Sequence, residues 1–317
     1  MKAIGLTEFG GPEVLAVVEL PEPQPGPGDV RIRVHAVSVN PTDISFRSGR
    51  RAAELTERQP PYIPGVDVAG VVDMLGPDAD GRLAVGDRVI GFVSPSGPRG
   101  GTYAEQIVVN GASVVRAPRE ASHAEASTLL LNAVTARLSL DALALPAGAT
   151  VAITGAPGAV GGYATQLAKE DGLTVLAVAR QSDTELVREL GADQVVDPGE
   201  NPAAEIRRQL PLGVPGLIDG AALDARALPA VADGGSLVVL KFWGGPGERG
   251  ITVHHIAATI AVTNTALLDR LRQQAEEGAL TLRVADVLPA REAAEAHRRL
   301  AAGGVRGRIV LDFSEPL

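Results

Sequence analysis

The chain has 317 residues, 45% hydrophobic and 21% charged, with 37 Gly, 23 Pro and no Cys. That length sets a prior of about two domains, and the composition excludes disorder as the main state. The missing cysteines exclude disulfides, thiol catalysis, iron–sulfur clusters and cysteine-ligated zinc. A net charge of −9, with one Trp, three Tyr and five Phe, argues against a nucleic-acid partner that must be held by a basic or base-stacking surface.

The first residues lack the apolar core of a signal peptide, and no run reaches the roughly 18 apolar residues of a spanning helix. The most apolar stretch, near Leu129 and Val134, is soon interrupted by Arg137 and Asp141. The expectation is a soluble cytoplasmic protein with no membrane partner.

The first ~120 residues read as β-rich. Residues 30–37 alternate apolar and polar positions, as a half-buried strand does. Residues 66–72 and 88–93 are further short apolar runs bounded by Gly, Pro or Asp, and residues 21–27 form a Pro-rich extended connection. This punctuation points to a barrel or sandwich. The texture changes at Ser122, where Ser122 and Glu125 have the spacing of a helix capping box. From residue 150 the rhythm becomes strand–helix–strand. Strands are expected at 150–154, 174–179, 194–197, 217–219, 236–240 and 251–254, with helices to residue 170 and over 182–190, the latter ended by Gly191. This is the pattern of a doubly wound parallel sheet. A helix over 290–301 and a strand over 308–312 close the chain, and no solenoid repeat is present.

The sharpest local signal comes just after the strand at 150–154. Gly155, Gly158 and Gly161 are spaced GxxGxxG between that strand and a helix. A dinucleotide pyrophosphate needs a tight turn, close backbone approach and N–H groups at a helix start. Gly155, Pro157, Gly158, Ala159, Val160 and Gly161 are therefore candidate cofactor-binding residues. The end of the second strand reads Val178, Ala179, Arg180, Gln181, Ser182. An acid there would accept from the ribose 2′-hydroxyl of NAD. Arg180 instead suits the 2′-phosphate of NADP(H), with Ser182 adding a hydroxyl donor. Asp183, close by, weighs against this. Lys241, Phe242 and Trp243 lie just past the fifth strand, where such sheets bind ligands. Lys241 and Phe242 are read as cofactor contacts. Trp243 either caps a substrate pocket or packs beneath the Gly-rich loop after it.

Several further pieces stand in a specific order: Asn40-Pro41-Thr42-Asp43, Pro64-Gly65-Val66-Asp67, Gly86-Asp87, Gly101-Thr102-Tyr103-Ala104-Glu105, Gly191-Ala192-Asp193 and Gly307-Arg308-Ile309. Together the chain resembles the zinc-independent quinone oxidoreductase branch of the medium-chain dehydrogenase/reductase superfamily, over nearly its whole length. The resemblance implies an α/β protein: a GroES-like β-barrel substrate domain, residues 1–121 and 266–317, with a Rossmann NADP-binding domain, residues 122–265, inserted into it. Where zinc-dependent members carry Cys and His ligands, this chain has Asn40 and Val66, so no catalytic metal is expected.

Hydride transfer without a Lewis acid suits an acceptor whose own π system spreads the developing charge, a quinone or an α,β-unsaturated carbonyl. The resemblance places Asn40 against nicotinamide and substrate; the alternative is a turn Asn before Pro41. Ser45 stands where relatives often have a tyrosine proton donor. Tyr62 is either a proton donor or core packing, and solvent is the third source. Asn132 and Thr135 fall in the segment that in the family lines the nicotinamide side. A homodimer is a family expectation. The rival readings are a biosynthetic enoyl or ketone reductase and a noncatalytic NADPH-binding protein.

Overall fold

The computed structural model describes residues 1–55, 58–240 and 243–317. The chain divides into two compact units. The first comprises residues 1–131, 259–277 and 282–317; the second comprises residues 132–258 and 278–281.

The first unit is built on β3 (Asp29–Ser38), whose interior positions are nearly all buried. One edge of β3 pairs antiparallel with β4 (Asp67–Leu75). Its other edge is shared. Residues 29–33 pair with β6 (Gln106–Asn110), and Ala36, Val37 and Ser38 pair with β15 (Arg308–Asp312). β5 (Arg88–Phe92) and β7 (Val114–Arg116) extend the sheet beyond β4, and β14 (Val284–Pro289) lies parallel to β15 at the opposite margin. A two-stranded ribbon of β1 (Lys2–Gly5) and β2 (Ala16–Glu19) completes the strands. Ile4, Ile32, Val68, Val89, Tyr103 and Leu311 belong to one buried core. Three helices belong here: α1 (Pro41–Arg47), α7 (Thr265–Glu276) and α8 (Ala293–Ala302).

α2 (His123–Ala126) also sits in the first unit, packed over β3 and β4, so the division falls at 131/132 rather than at the texture change of 121/122. The return falls at 258/259 rather than 265/266. α3 (Leu130–Leu143) spans the first division.

The second unit holds a six-stranded parallel sheet in the order β10, β9, β8, β11, β12, β13. Its strands are β8 (Thr150–Thr154), β9 (Thr174–Val178), β10 (Gln194–Val196), β11 (Val214–Asp219), β12 (Val231–Val239) and β13 (Thr252–His255). Val151, Ala152 and Ile153 are fully buried, as expected when helices cover both faces. α4 (Ala159–Glu170), α5 (Thr184–Glu189) and α6 (Pro202–Gln209) come after their strands. A 3₁₀ turn at Gln181–Asp183 delays α5, which starts two residues later than its sequence pattern. α5 ends at Gly191, whose φ of 104° is left-handed, and its N–H donates to the Arg188 carbonyl.

Periodicity does not mark β1, β2, β6, β7, β14, α6 or α7. β14 is an edge strand with no fully buried residue, and α7 buries only Leu268 and Leu271. Among the described residues no helix is long and apolar enough to cross a membrane.

The capping box at α2 is formed in both directions: the Glu125 N–H donates to Ser122 Oγ at 3.2 Å, and the Ser122 N–H to Glu125 Oε2 at 2.8 Å. Ser122→Ala is expected to lower the unfolding free energy by about 1 kcal/mol, measured by urea denaturation.

Candidate functional site

Each unit carries a candidate site. In the first unit it starts where β3 ends. Asn40 has an extended backbone, φ −120° and ψ 156°, because Pro41 disfavours the helical region before it. Pro41 is the first residue of α1, and Asp43, one turn in, accepts the Asn40 N–H at 2.8 Å. The Asn40 side-chain nitrogen donates to Asp67 Oδ2 at 2.9 Å, to Ser38 Oγ at 3.0 Å and to the Ser38 carbonyl at 3.3 Å. Ser38 Oγ donates to the same Asp67 oxygen at 2.8 Å, and the Leu131 N–H reaches Asp67 Oδ1 at 2.9 Å. The Tyr103 hydroxyl lies 3.3 Å from Asp43 Oδ2 and 3.1 Å from His297 Nε2. One hydroxyl proton serves both neighbours: when it is donated to the carboxylate, His297 must donate from Nε2.

Ser38, Asn40, Asp43, Asp67, Tyr103 and His297 are all buried, with no more than 1% exposure. Burial sets their ionisation. It pushes the Asp43 carboxyl up to about 7, reinforced by the charge of Asp67, and the Asp67 carboxyl up to about 6 against its hydrogen bonds. It takes the His297 imidazole down to about 3, aided by Arg47, and raises the Tyr103 phenol. The result is a buried network with two carboxyls and a neutral imidazole.

The Asn40 amide nitrogen thus ties the end of β3 to β4, while its Oδ1 is buried with no hydrogen-bond partner among the described residues. Ser45 is partly exposed on α1, and no hydrogen bond joins its hydroxyl to the network. Tyr62 takes the packing alternative. Its ring stacks on Phe9 at 5.3 Å beside Leu6, Phe46 and Leu55, and its hydroxyl donates to the Arg58 carbonyl at 3.2 Å. Asp67 and Tyr103 belong to the ordered sequence motifs, but the motifs gave them no role. His297, on α8, had no local signal.

In the second unit the assembly is the turn from β8 into α4. Gly155 has φ 64°, a conformation open to glycine. A Cβ on Gly161 would lie 2.3 Å from the Gly155 carbonyl oxygen, so only glycine lets the helix start close against the turn. Gly158 is the N-cap of α4 and offers no side-chain acceptor to the first N–H groups. Ala159, Val160 and Gly161 form the first turn of α4. Arg180, two residues past β9, is exposed, as is Ser182; the Arg180 guanidinium makes no ion pair among the described residues. Asp183 is turned inward and buried, so it does not stand beside Arg180 at the surface. Asn132 is buried and Thr135 half-buried on α3. Trp243 packs partly buried against the apolar core of this unit with Leu210 and Val253, the second of its two alternatives. Lys241 and Phe242 lie outside the described residues.

Residues 26–119 match the alcohol dehydrogenase GroES-like domain, and residues 190–311 match the zinc-binding dehydrogenase domain. A solved NAD-dependent alcohol dehydrogenase is 30% identical, covering 99% of this chain and 100% of that one with a TM-score of 0.85. Quinone oxidoreductase of Homo sapiens is 29% identical over 98% of this chain and 97% of its own length. The chain belongs to the quinone oxidoreductase branch of the medium-chain dehydrogenase/reductase superfamily.

The superfamily is one of oxidoreductases that bind NAD(P)H, and its GroES-like and Rossmann folds are those of the two units. A mycobacterial member solved in complex with NADPH is 29% identical, covering 98% of this chain and 100% of that one with a TM-score of 0.85. The 2-methylene-furan-3-one reductase of Solanum lycopersicum is 32% identical over 76% of this chain, which spans 62% of that protein's length. Among the described residues no group of three or more His, Asp or Glu is placed to hold a metal ion.

The buried carboxyls make a signed prediction. Folded Asp43 keeps its proton to about 7, whereas the unfolded chain releases it near 4. Between those values the folded state binds more protons, so this group makes stability fall as pH rises. His297, neutral down to about 3, acts oppositely, losing stability as pH falls below roughly 6.5. Comparing wild type with Asp43→Asn removes the histidine contribution. The stability difference, wild type minus variant, should decline from pH 4 to 7 with a slope approaching about 1.4 kcal/mol per pH unit. Urea titrations across that range measure it, and a pH-independent difference contradicts the assignment.

Proposed function

We propose that the protein is an NADPH-dependent reductase that transfers hydride to quinones or α,β-unsaturated carbonyls. The observation that carries the cofactor choice is Arg180, exposed two residues past the end of β9, with no ion pair among the described residues and with Asp183 buried. The Gly155–Gly161 approach and the start of α4, which has no side-chain cap, fit a pyrophosphate, and Arg180 with Ser182 fits a 2′-phosphate.

NADPH, when bound, supplies the hydride. The residues of this chain bind and orient. Ala159, Val160 and Gly161 direct backbone N–H groups at the pyrophosphate, and Arg180 holds the 2′-phosphate by paired hydrogen bonds. Asn132 and Thr135, on α3, are the further side chains proposed for the nicotinamide end. In the other unit, the Asn40–Asp67–Asp43 network holds the end of β3 and the start of α1 rigid. Such a framework positions a substrate without moving during the reaction.

The acceptor class is supported by two relatives, one a quinone oxidoreductase and one a 2-methylene-furan-3-one reductase. A conjugated acceptor needs no electrophile from the protein, because its own π system carries the developing charge. Protonation then comes from solvent, since Tyr62 is committed to packing and Ser45 stands apart from the network. We further propose a cytoplasmic homodimer. β13 is the last strand of its sheet, and its outer edge is where a second copy would add; sedimentation as a monomer contradicts this.

Two measurements test the reading. Fluorescence titration should show NADPH binding more tightly than NADH, and Arg180→Ala should cost NADPH about tenfold in affinity while leaving NADH unchanged. Equal affinities in wild type overturn the cofactor choice. NADPH oxidation should appear with 1,4-benzoquinone or enone acceptors; a cofactor-loaded protein inert toward all of them favours a binding protein.

A further inference from the structure

The order of strands reverses between β8 and β11. From β8 the sheet grows outward through β9 and β10, then resumes on the other side with β11, β12 and β13. Doubly wound sheets bind ligands beyond the carboxyl ends of the strands at this point. Here the two strand ends flanking it are tied together. Thr154, the last residue of β8, donates its hydroxyl to Asp219 Oδ1, at the end of β11, at 2.7 Å. Both side chains are buried.

The same carboxylate organises the loop after β11. Asp219 Oδ1 accepts the Ala221 N–H at 3.3 Å, and Oδ2 accepts the Asp224 N–H at 2.9 Å. The Ala221 N–H also reaches Thr154 Oγ1 at 3.1 Å, and the Gly220 N–H donates to the Thr154 carbonyl at 3.1 Å. Asp219 is thus a buried acid whose hydrogen bonds come from β8 and from residues 221–224. That loop has an uncommon backbone. Ala222 has φ 57° and Asp224 φ 56°, two non-glycine residues in the left-handed region within three positions. Such conformations persist only where their surroundings over-determine them, and they cluster at ligand sites. The loop also touches the phosphate-binding turn: a Cβ on Gly155 would lie 2.9 Å from the carbonyl carbon and oxygen of Gly220.

We propose that Asp219 is a positioning residue for the dinucleotide: with Thr154 it holds residues 220–224 in their left-handed form against the Gly155 turn, as a backbone wall for the nicotinamide half. The half is set by sheet order. Arg180 follows β9 on one side of β8, which takes the 2′-phosphate half, and the loop after Asp219 follows β11 on the other. This rests on the dinucleotide reading above.

The test uses the full chain and two ligands, NADPH and 2′,5′-ADP, which carries the adenosine half without the nicotinamide. Affinities are measured by titration calorimetry alongside thermal midpoints. Asp219→Asn should weaken NADPH about tenfold or more while changing 2′,5′-ADP by less than about threefold. Ala222→Gly keeps every hydrogen bond of Asp219 but frees the backbone. It should raise the thermal midpoint and weaken NADPH by about threefold, again sparing 2′,5′-ADP. A merely structural Asp219 would weaken both ligands alike or neither, and either result overturns the proposal. If Asp219→Asn does not fold, unchanged NADPH affinity in Ala222→Gly overturns it alone. Failure of the wild-type protein to bind either ligand overturns the dinucleotide reading instead.

Discussion

The pairing of β3 is the constraint on which the first unit depends. A strand has two edges, and this one gives its first edge to β4 and divides its second between β6 and β15. β6 arrives from residues 106–110 and β15 from residues 308–312, after the whole second unit has been traversed. The end of the chain is therefore not an appendage. Its last strand satisfies backbone groups of β3 at Ala36, Val37 and Ser38, which would otherwise be an open edge next to the buried polar network.

That network is chemically unusual for a core. Asp43 and Asp67 are buried carboxyls held by hydroxyls, an amide and backbone N–H groups. The positive charge of Arg308 favours ionised Asp67, but burial outweighs it. Removing a carboxylate from water without a close counter-charge is costly, and the common outcome is retention of a proton. The gain is definition. The Asn40 side chain is oriented by acceptors alone, a carboxylate and a carbonyl among them, so its amide has one sensible orientation. The network is not fully satisfied, since Asn40 Oδ1, Asp43 Oδ1 and His297 Nδ1 are buried with no hydrogen-bond partner among the described residues.

The second unit solves a different problem. A phosphate needs naked backbone N–H groups, and a helix start supplies them only when nothing in the chain caps it. Gly158 gives α4 no side-chain cap, and Gly161 lets the helix come close against Gly155. The left-handed loop after β11 is then set against the same turn by one buried acid. Both features place backbone, rather than side chains, at the ends of the strands.

How much of this was legible depends on the range of the forces. The second unit was read nearly strand by strand, because buried parallel strands and Gly-rich turns leave local signatures at Thr150–Thr154, Gly155 and Gly191. Arg180 was visible for the same reason, as a charge at a strand end. β14 and α7 were invisible because each hides little apolar surface, and so carries little period. The inward turn of Asp183 was equally invisible, since two adjacent residues differ only in which way the backbone faces them. By itself the sequence determined the absence of thiol chemistry, the doubly wound unit and the phosphate turn, all written in composition or in residues a few positions apart. Only tertiary structure decided that the Asn40 amide nitrogen meets Asp67, that Tyr62 packs on Phe9, and that Tyr103 meets His297 across 194 positions. Those outcomes depend on which groups are left without water and on what stands opposite them, and neither is a property of neighbours along the chain.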